Sequence, residues 1–184
     1  MANLEPLIQS IPVAPLKLAS LEGCRTLADQ VNNYLVSFRH ESPTNVGQAD
    51  SLQGYCADSY LLECECPRFG SGEGKGVLKE SVRGCDLFIM VDVTNYSLTY
   101  RVNGYENHMS PDNHYQDLKR IISAADGKAR RINVIMPFLY EGRQHKRSKR
   151  ESLDCALMLQ ELVDMGVSNI LTFDAHDPRV SNSI

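Results

Sequence analysis

The sequence lacks a long apolar run, a targeting segment and an excess of positive charge. A membrane-spanning helix needs about 20 apolar residues in succession, so no such helix is predicted. The N-terminal stretch has no charged start and no long apolar core, so it predicts neither a signal peptide nor a transit peptide. The net charge of −4 disfavours general nucleic-acid binding, because phosphate contacts need surplus Lys and Arg. We therefore expect a cytoplasmic protein without a nucleic-acid or membrane partner.

Cysteine pairs with the Cys-x-x-Cys spacing are also absent, although the chain has six cysteines. Cys64 and Cys66 are too close for the usual zinc spacing, and no second Cys or His pair follows at a usable distance. A chain of 184 residues buries a sufficient core without disulfide bonds. The cysteines are therefore predicted to be reduced and mostly buried, which disfavours a zinc site or a dithiol redox centre.

The spacing of apolar residues predicts strands and helices in alternation along the chain. Short apolar runs predict strands, and apolar residues recurring every three or four positions predict helices. The predicted strands cover 15–19, 60–66, 77–82, 85–91, 132–137 and 169–173, and the predicted helices cover 21–39, 111–125 and 151–165. Ser20 is the expected cap of the first helix, and Leu157 is expected to pack in the last one.

This alternation is typical of an α/β domain in which a mostly parallel sheet is flanked by helices in three layers. Hydrophobic residues make up 42% of the chain, enough for one core. Residues 1–14 are expected to form a loose arm, and residues 15–184 a single domain. The aperiodic stretches near 40–60 and 96–110 are interpreted as insertions.

A basic segment follows one of the predicted strands. Five of the eight residues at 143–150 are Lys or Arg, although the net charge of the chain is negative. Ligands of parallel sheets bind beyond the carboxyl ends of the strands, and guanidinium and ammonium groups match phosphate oxygens. The segment therefore favours a polyphosphate or nucleotide site. A solvated basic loop and a nucleic-acid patch are the alternatives.

The last predicted strand leads into two carboxylates and an imidazole, from Asp174, His176 and Asp177. Such a set can hold a divalent metal ion that carries phosphate and keeps several of its waters. An ordinary acidic turn with a hydrogen-bonded histidine is the alternative interpretation.

Two further segments have weaker signals. The stretch 70–76 contains four glycines, but it lacks both the spacing and the Ser or Thr of a phosphate-binding P-loop. Arg83 precedes a buried strand, where it can bind an anion or simply pair with a surface carboxylate.

Four segments together resemble the N-terminal domain of the ribose-phosphate pyrophosphokinase family. They are Phe69 to Glu73 (FGSGE), Ser81 to Gly84 (SVRG), Arg143-Gln144 after the strand ending VIMPF, and Leu171 to His176 (LTFDAH). They follow the family's order at similar distances, over about 16–177. The resemblance implies a phosphoribosyltransferase-like fold. It also implies transfer of the β,γ-pyrophosphoryl group of ATP to the 1-hydroxyl of ribose 5-phosphate, which gives phosphoribosyl pyrophosphate and AMP.

The resemblance also implies roles for four residues at the strand ends. Arg143 and Gln144 match positions that contact ATP. His176 matches a position that binds the Mg²⁺ ion carried by ATP, and Asp174 matches one that assists this metal. No catalytic base is identifiable.

The remaining matches concern other surfaces. Phe69, Ser71 and Glu73 match a segment that reaches the ATP of a neighbouring subunit, so a homo-oligomer, a dimer or a hexamer, is implied. Ser81 and Arg83 match positions that bind phosphate or nucleotide at a regulatory site in some members.

The chain departs from the family pattern at several positions. Ser71 stands where Asn or Asp is usual, His145 replaces an Asp, and Asp177 replaces an Ala. The basic loop is one residue shorter, and residues 151–154 differ from the usual Glu-Pro-Ile-Ser.

The family's second domain carries an acidic pair followed by a Thr-Gly loop that cradles the ribose phosphate, and the chain has no such motif. We therefore expect a truncated part of a synthase that is inactive alone. The alternatives are a non-catalytic relative that binds nucleotide and a synthase partner, and a nucleic-acid module that uses the basic loop.

Overall fold

The computed structural model describes residues 12–41, 54–177 and 180. Most of the predicted N-terminal arm and much of the first predicted insertion lie outside these residues. The described strands are β1 Leu16–Ser20, β2 Leu61–Leu62, β3 Cys64–Glu65, β4 Val77–Leu78, β5 Asp86–Met90, β6 Thr99–Val102, β7 Tyr105–His108, β8 Arg131–Ile135 and β9 Val167–Leu171. The described α-helices are α1 Arg25–Glu41, α2 Pro111–Ala125 and α3 Asp154–Asp164, and a short 3₁₀ turn at Glu22–Cys24 precedes α1.

Five strands form one parallel sheet in the order β2-β1-β5-β8-β9. The two central pairings run in register, with Leu16 opposite Asp86 and Asp86 opposite Arg131. β3 pairs antiparallel with β4, and β6 pairs antiparallel with β7. Because all five strands of the main sheet are parallel, their carboxyl ends share one edge of the molecule.

Helices cover both faces of this sheet. The side chains of Leu87, Ile89 and Val134 are fully buried on the face that packs against α2 and α3. On the other face, Leu18 and Met90 pack against α1 through a smaller cluster. The predicted three-layer α/β domain is therefore confirmed.

Local chemistry explains the sharp start of α2. The Ser110 side chain accepts a hydrogen bond from the Asn113 backbone N–H, and the Asn113 side chain accepts one from the Ser110 N–H. This reciprocal pair satisfies two backbone donors that would otherwise lack partners. Pro111 follows at the first helical position, where a missing N–H costs nothing.

Two predicted segments take a different form. The predicted strand at 60–66 splits in two, because Leu61 and Leu62 join the parallel sheet while Cys64 and Glu65 pair with β4. The stretch near 96–110, predicted to be aperiodic, contains the β6–β7 hairpin. Its turn is Asn103-Gly104, with φ angles of 50° and 85°, and this dipeptide favours such tight turns.

Several element boundaries were wrong by a few residues. The hydroxyl of Ser20 donates to the Leu21 carbonyl and makes no cap, because Ser20 is still part of β1. The last helix begins at Asp154 rather than at 151, and the last strand ends at Leu171 rather than at 173. Leu157, expected to pack, is 63% exposed. In the described part of the chain, no helix is both long and apolar enough to span a membrane.

Candidate functional site

The two chemically distinctive segments follow β8 and β9, at the carboxyl edge of the sheet. Phe138 and Asp174 form a parallel bridge beyond the strand ends. The Leu139 N–H donates to the Asp174 carbonyl at 3.1 Å, and the Asp174 N–H donates to the Pro137 carbonyl at 2.9 Å. These bonds extend the pairing of the two strands, so the loops that carry Arg143 and His176 are brought together.

Gln144 links the basic segment to the start of α3. Its backbone N–H donates to the Glu141 carbonyl at 2.8 Å, and its side-chain Nε2 donates to the Ser152 carbonyl at 2.6 Å. Its carbonyl in turn accepts the N–H of Cys155. Arg143, next to it in this turn, is exposed. The guanidinium is therefore presented to solvent while its neighbour fixes the loop.

His145 lies between the two loops. Its Nδ1 donates to the Gly142 carbonyl at 3.2 Å, and its Nε2 lies 3.2 Å from Oδ2 of Asp177. The His145 ring centroid is 6.0 Å from that of His176. The contact of Nε2 with Asp177 lacks hydrogen-bond direction, and Nε2 is the one buried side-chain nitrogen or oxygen of the described residues without a formed hydrogen bond.

The donor set at this edge suits a particular kind of metal binding. Among residues 12–41, 54–177 and 180, no three His, Cys, Asp or Glu side chains come together as a metal site. Mg²⁺ commonly keeps several waters and uses one or two carboxylates together with substrate phosphates. Asp174 and His176 therefore fit an ion that arrives on a polyphosphate better than one held by the protein alone.

Phe69, Ser71 and Glu73 lie together in one tight loop. The Phe69 N–H donates to the Glu73 carbonyl at 2.7 Å, and the Ser71 hydroxyl donates to the Glu73 carboxylate at 2.8 Å. Phe69 is 53% exposed. A side chain at Gly72 would lie 2.9 Å from Val102, so the loop packs closely against the β6–β7 hairpin.

A buried ion-pair cluster anchors this loop to α2, and the sequence analysis did not identify it. The Asp117 carboxylate accepts from Arg68 at 2.7 Å and from Arg120 at 2.6 Å. Burial raises the pKa of Asp117, although both guanidinium groups act in the opposite direction. The guanidinium of Arg68 also lies over the Tyr100 ring of the hairpin, 5.2 Å from its centroid. The loop is thus fixed from both sides.

Ser81 and Arg83 lie near the amino ends of the strands, opposite to the carboxyl edge, because they precede β5. Both are exposed, and the Arg83 N–H donates to the Ser81 hydroxyl at 3.3 Å. The structure therefore does not bring them to Arg143 or His176.

Comparison with known proteins gives a consistent family match. A family model described as the N-terminal domain of ribose phosphate pyrophosphokinase matches residues 16–166. This range includes Arg143, Gln144 and the Phe69 loop, and it ends before Asp174 and His176.

Curated relatives agree with this match. The ribose-phosphate pyrophosphokinase of Corynebacterium ammoniagenes is 29% identical over 167 residues, which cover 90% of this chain and 41% of that protein. The Bacillus caldolyticus enzyme of the same name is 30% identical over 122 residues, 65% of this chain and 34% of that protein. The chain thus spans less than half the length of these relatives.

A solved structure supports the fold. Phosphoribosylpyrophosphate synthetase from Mycobacterium smegmatis superposes with a TM-score of 0.65 at 22% identity, over 92% of this chain and 46% of that one. Because the family model covers most of the sequence, this chain belongs to the ribose-phosphate pyrophosphokinase family and contains its N-terminal domain.

Proposed function

We propose that this chain is the ATP-binding part of a cytoplasmic ribose-phosphate pyrophosphokinase. The parent enzyme transfers the β,γ-pyrophosphoryl group of ATP to ribose 5-phosphate and releases AMP. The observation that carries the proposal is the pairing of the loops after β8 and β9, which brings Arg143 and His176 to one edge of the sheet. A basic group and potential metal-binding groups at one edge suit a nucleotide polyphosphate with its Mg²⁺ ion.

Each residue of this edge has a distinct proposed task. Arg143 binds phosphate oxygens through its exposed guanidinium, and Gln144 holds the turn on α3 while lying next to the nucleotide. His176 and Asp174 hold the Mg²⁺ ion, which neutralises phosphate charge when it is bound. Positioning and charge neutralisation account for most of the catalysis of such transfers.

The loop at 69–73 is proposed to serve a different ATP molecule, that of a neighbouring subunit in a homo-oligomer. Two features support this. α2 and the hairpin hold this loop, whereas the loops after β8 and β9 hold Arg143 and His176. The aromatic ring of Phe69 is also largely exposed, as a contact to a second molecule requires. Ser81 and Arg83, at the opposite edge, remain candidates for a separate regulatory phosphate site.

The chain is proposed to be inactive alone, because it has no acidic pair with a Thr-Gly loop for the ribose phosphate. Incubation with ATP, ribose 5-phosphate and Mg²⁺ should therefore release no AMP above a blank without protein. Steady AMP release that depends on ribose 5-phosphate would show that this part of the proposal is wrong.

Calorimetric titration with ATP, with and without Mg²⁺, tests the binding site. Removal of a charge-assisted hydrogen bond costs about 1.5–3 kcal/mol, so Arg143→Ala should raise the Kd at least about tenfold. His176→Ala should weaken binding mainly in the presence of Mg²⁺. Arg101→Ala, on the exposed hairpin, is the matched control and should leave the Kd unchanged. Equal Kd values for all three variants and the unaltered chain would refute the proposed site.

One observation favours a second function, that of a non-catalytic relative that binds nucleotide and regulates a synthase. The Gln144 carboxamide nitrogen, at a position that the resemblance assigns to ATP, donates a hydrogen bond to the Ser152 carbonyl instead, so one contact expected of a catalytic member is engaged within the fold. Adding the chain to the Bacillus caldolyticus enzyme separates the two functions. A change in the rate of that enzyme supports regulation, and an unchanged rate supports the synthase part.

A further inference from the structure

Two departures of this chain from the family pattern lie in contact with each other. In the resemblance described above, His145 replaces an Asp and Asp177 replaces an Ala. In the structure, their side chains are only 9% and 16% exposed, with 3.2 Å between Nε2 and Oδ2. The carboxylate at this corner of the site comes from Asp177, in the loop after β9.

We infer that His145 and Asp177 are a coupled positioning pair that joins the two loops of the site. His145 is two residues from Arg143, and Asp177 follows His176 directly. A contact between His145 and Asp177 therefore holds the two backbone segments that carry Arg143 and His176 next to each other. The consequence for nucleotide binding rests on the function proposed above, whereas the link between the loops does not.

The imidazole ring is suited to this task because it contacts both loops at once. Nδ1 is bonded within its own turn, to the Gly142 carbonyl at 3.2 Å. Nε2 lies 3.2 Å from Oδ2 of Asp177 in the other loop, and the ring centroid lies 6.0 Å from that of His176. The two backbones also lie close together at Gly142, since a Cβ there would lie 3.8 Å from the backbone nitrogen of His176. The corner is therefore packed, and a change on one side acts on the other.

The pair makes a sharp prediction about single and double replacements. His145→Asp places two carboxylates face to face, and Asp177→Ala leaves a buried imidazole nitrogen without its acidic neighbour. Losing one partner of a buried polar pair costs more than losing both. The double variant H145D/D177A restores the family's pair of residue types and removes both faults.

Calorimetry on the whole chain measures this coupling. Each single variant should raise the Kd for ATP in the presence of Mg²⁺ by about tenfold, on the order expected for one lost charged contact. The double variant should return to within about threefold of the unaltered chain. The Kd for ATP measured without Mg²⁺ should change less. General damage to the fold would instead weaken ATP binding in both conditions. Asp58→Ala, at an exposed residue before β2 on the far side of the sheet, is the control.

The outcomes separate the inference from the proposed function. If the unaltered chain binds Mg²⁺-ATP and the single variants bind it equally well, the positioning pair is refuted while the nucleotide site stands. If the unaltered chain binds no Mg²⁺-ATP, the proposed function fails, and urea unfolding of the same four proteins decides the inference. If each single variant loses stability and the double variant regains it, the link between the loops is supported. If the losses of stability simply add in the double variant, the link is overturned.

Discussion

Replacement of Gly76 by alanine should destabilise the protein by forcing two backbones apart. Gly76 lies just before β4 and packs directly on α2. A Cβ atom at this position would lie 2.3 Å from the Arg120 carbonyl oxygen and 2.5 Å from its carbonyl carbon. Both atoms belong to the main chain of a helix, so no side-chain rotation can relieve the overlap. Either β4 or α2 has to shift.

The magnitude follows from the cost of overpacking. Extra atoms in a well-packed interior typically cost 1–3 kcal/mol, and a clash with rigid backbone belongs at the upper end, about 3 kcal/mol. With a urea m-value of about 2 kcal/mol per molar, the unfolding midpoint of Gly76→Ala should fall by roughly 1.5 M. Equilibrium unfolding followed by circular dichroism measures this shift.

Gly70→Ala is the matched control, since it makes the same chemical change in the same glycine-rich stretch. No heavy atom lies within 4 Å of a Cβ at Gly70, and its φ lies outside the left-handed region. Its midpoint should stay the same or rise slightly, because alanine restricts the unfolded chain. Equal midpoints for the two variants would refute the packing of Gly76 on α2.

Three further predictions follow from burial and charge. A thiol reagent at pH 8 should modify one cysteine rapidly, the exposed Cys56, because burial raises the pKa of thiols such as Cys66 to about 12. Cys56→Ser should remove the fast phase of the reaction, and a fast phase that persists in this variant would contradict the prediction. As the pH falls, Asp117 should take up its proton before Asp126, because burial raises the pKa of Asp117 while the bond from Lys128 lowers that of Asp126. Carboxyl ¹³C chemical shifts measured against pH report this order. Because the pKa of Asp117 is raised in the folded protein, the contribution of Asp117 to stability is lost as the pH rises through that pKa. Asp86→Ala should lower the free energy of unfolding by about 1–3 kcal/mol, since this buried carboxylate accepts hydrogen bonds from two side chains of β8. An unchanged urea midpoint would show that these hydrogen bonds do not stabilise the fold.

The parallel sheet was predictable because its central strands carry a clear signal. Asp86–Met90 and Arg131–Ile135 lie in short apolar runs, as strands buried on both faces require. Helices between them then leave few topologies, and the placement of the basic and acidic segments at the carboxyl edge follows from strand direction alone. The edge strand β2 was harder to predict, because only two residues, Leu61–Leu62, pair with the sheet.

The β6–β7 hairpin was missed for a physical reason. Exposed Thr99 and Arg101 alternate with half-buried Tyr100 and Val102, but this alternation covers only four residues, and Tyr105–His108 is exposed at three of its four positions. The hydrophobic period that identifies strands is therefore short in one strand and absent from the other. The local signal was the Asn103-Gly104 dipeptide, whose two positive φ angles form the turn.

The site itself was predictable only in part. The sequence places Arg143 and His176 after neighbouring strands, and their loops are indeed paired. The contact of His145 with Asp177 joins residues 32 positions apart along the chain, and no spacing rule connects them. The anchoring of the Phe69 loop by Asp117 likewise depends on how α2 packs on that loop.

The separate anchoring of the two candidate nucleotide segments gives Gly76→Ala a functional meaning. α2 and the hairpin hold the loop at 69–73, whereas the paired loops after β8 and β9 hold Arg143. If these segments serve two ATP molecules, Gly76→Ala should lower stability without changing the Kd of the chain's own Mg²⁺-ATP site, measured without urea, where the variant is folded. If both segments bind one ATP molecule, displacement of the loop should raise that Kd along with the loss of stability. Calorimetry on Gly70→Ala and Gly76→Ala therefore decides whether the Phe69 loop belongs to this chain's own site or to a neighbour's.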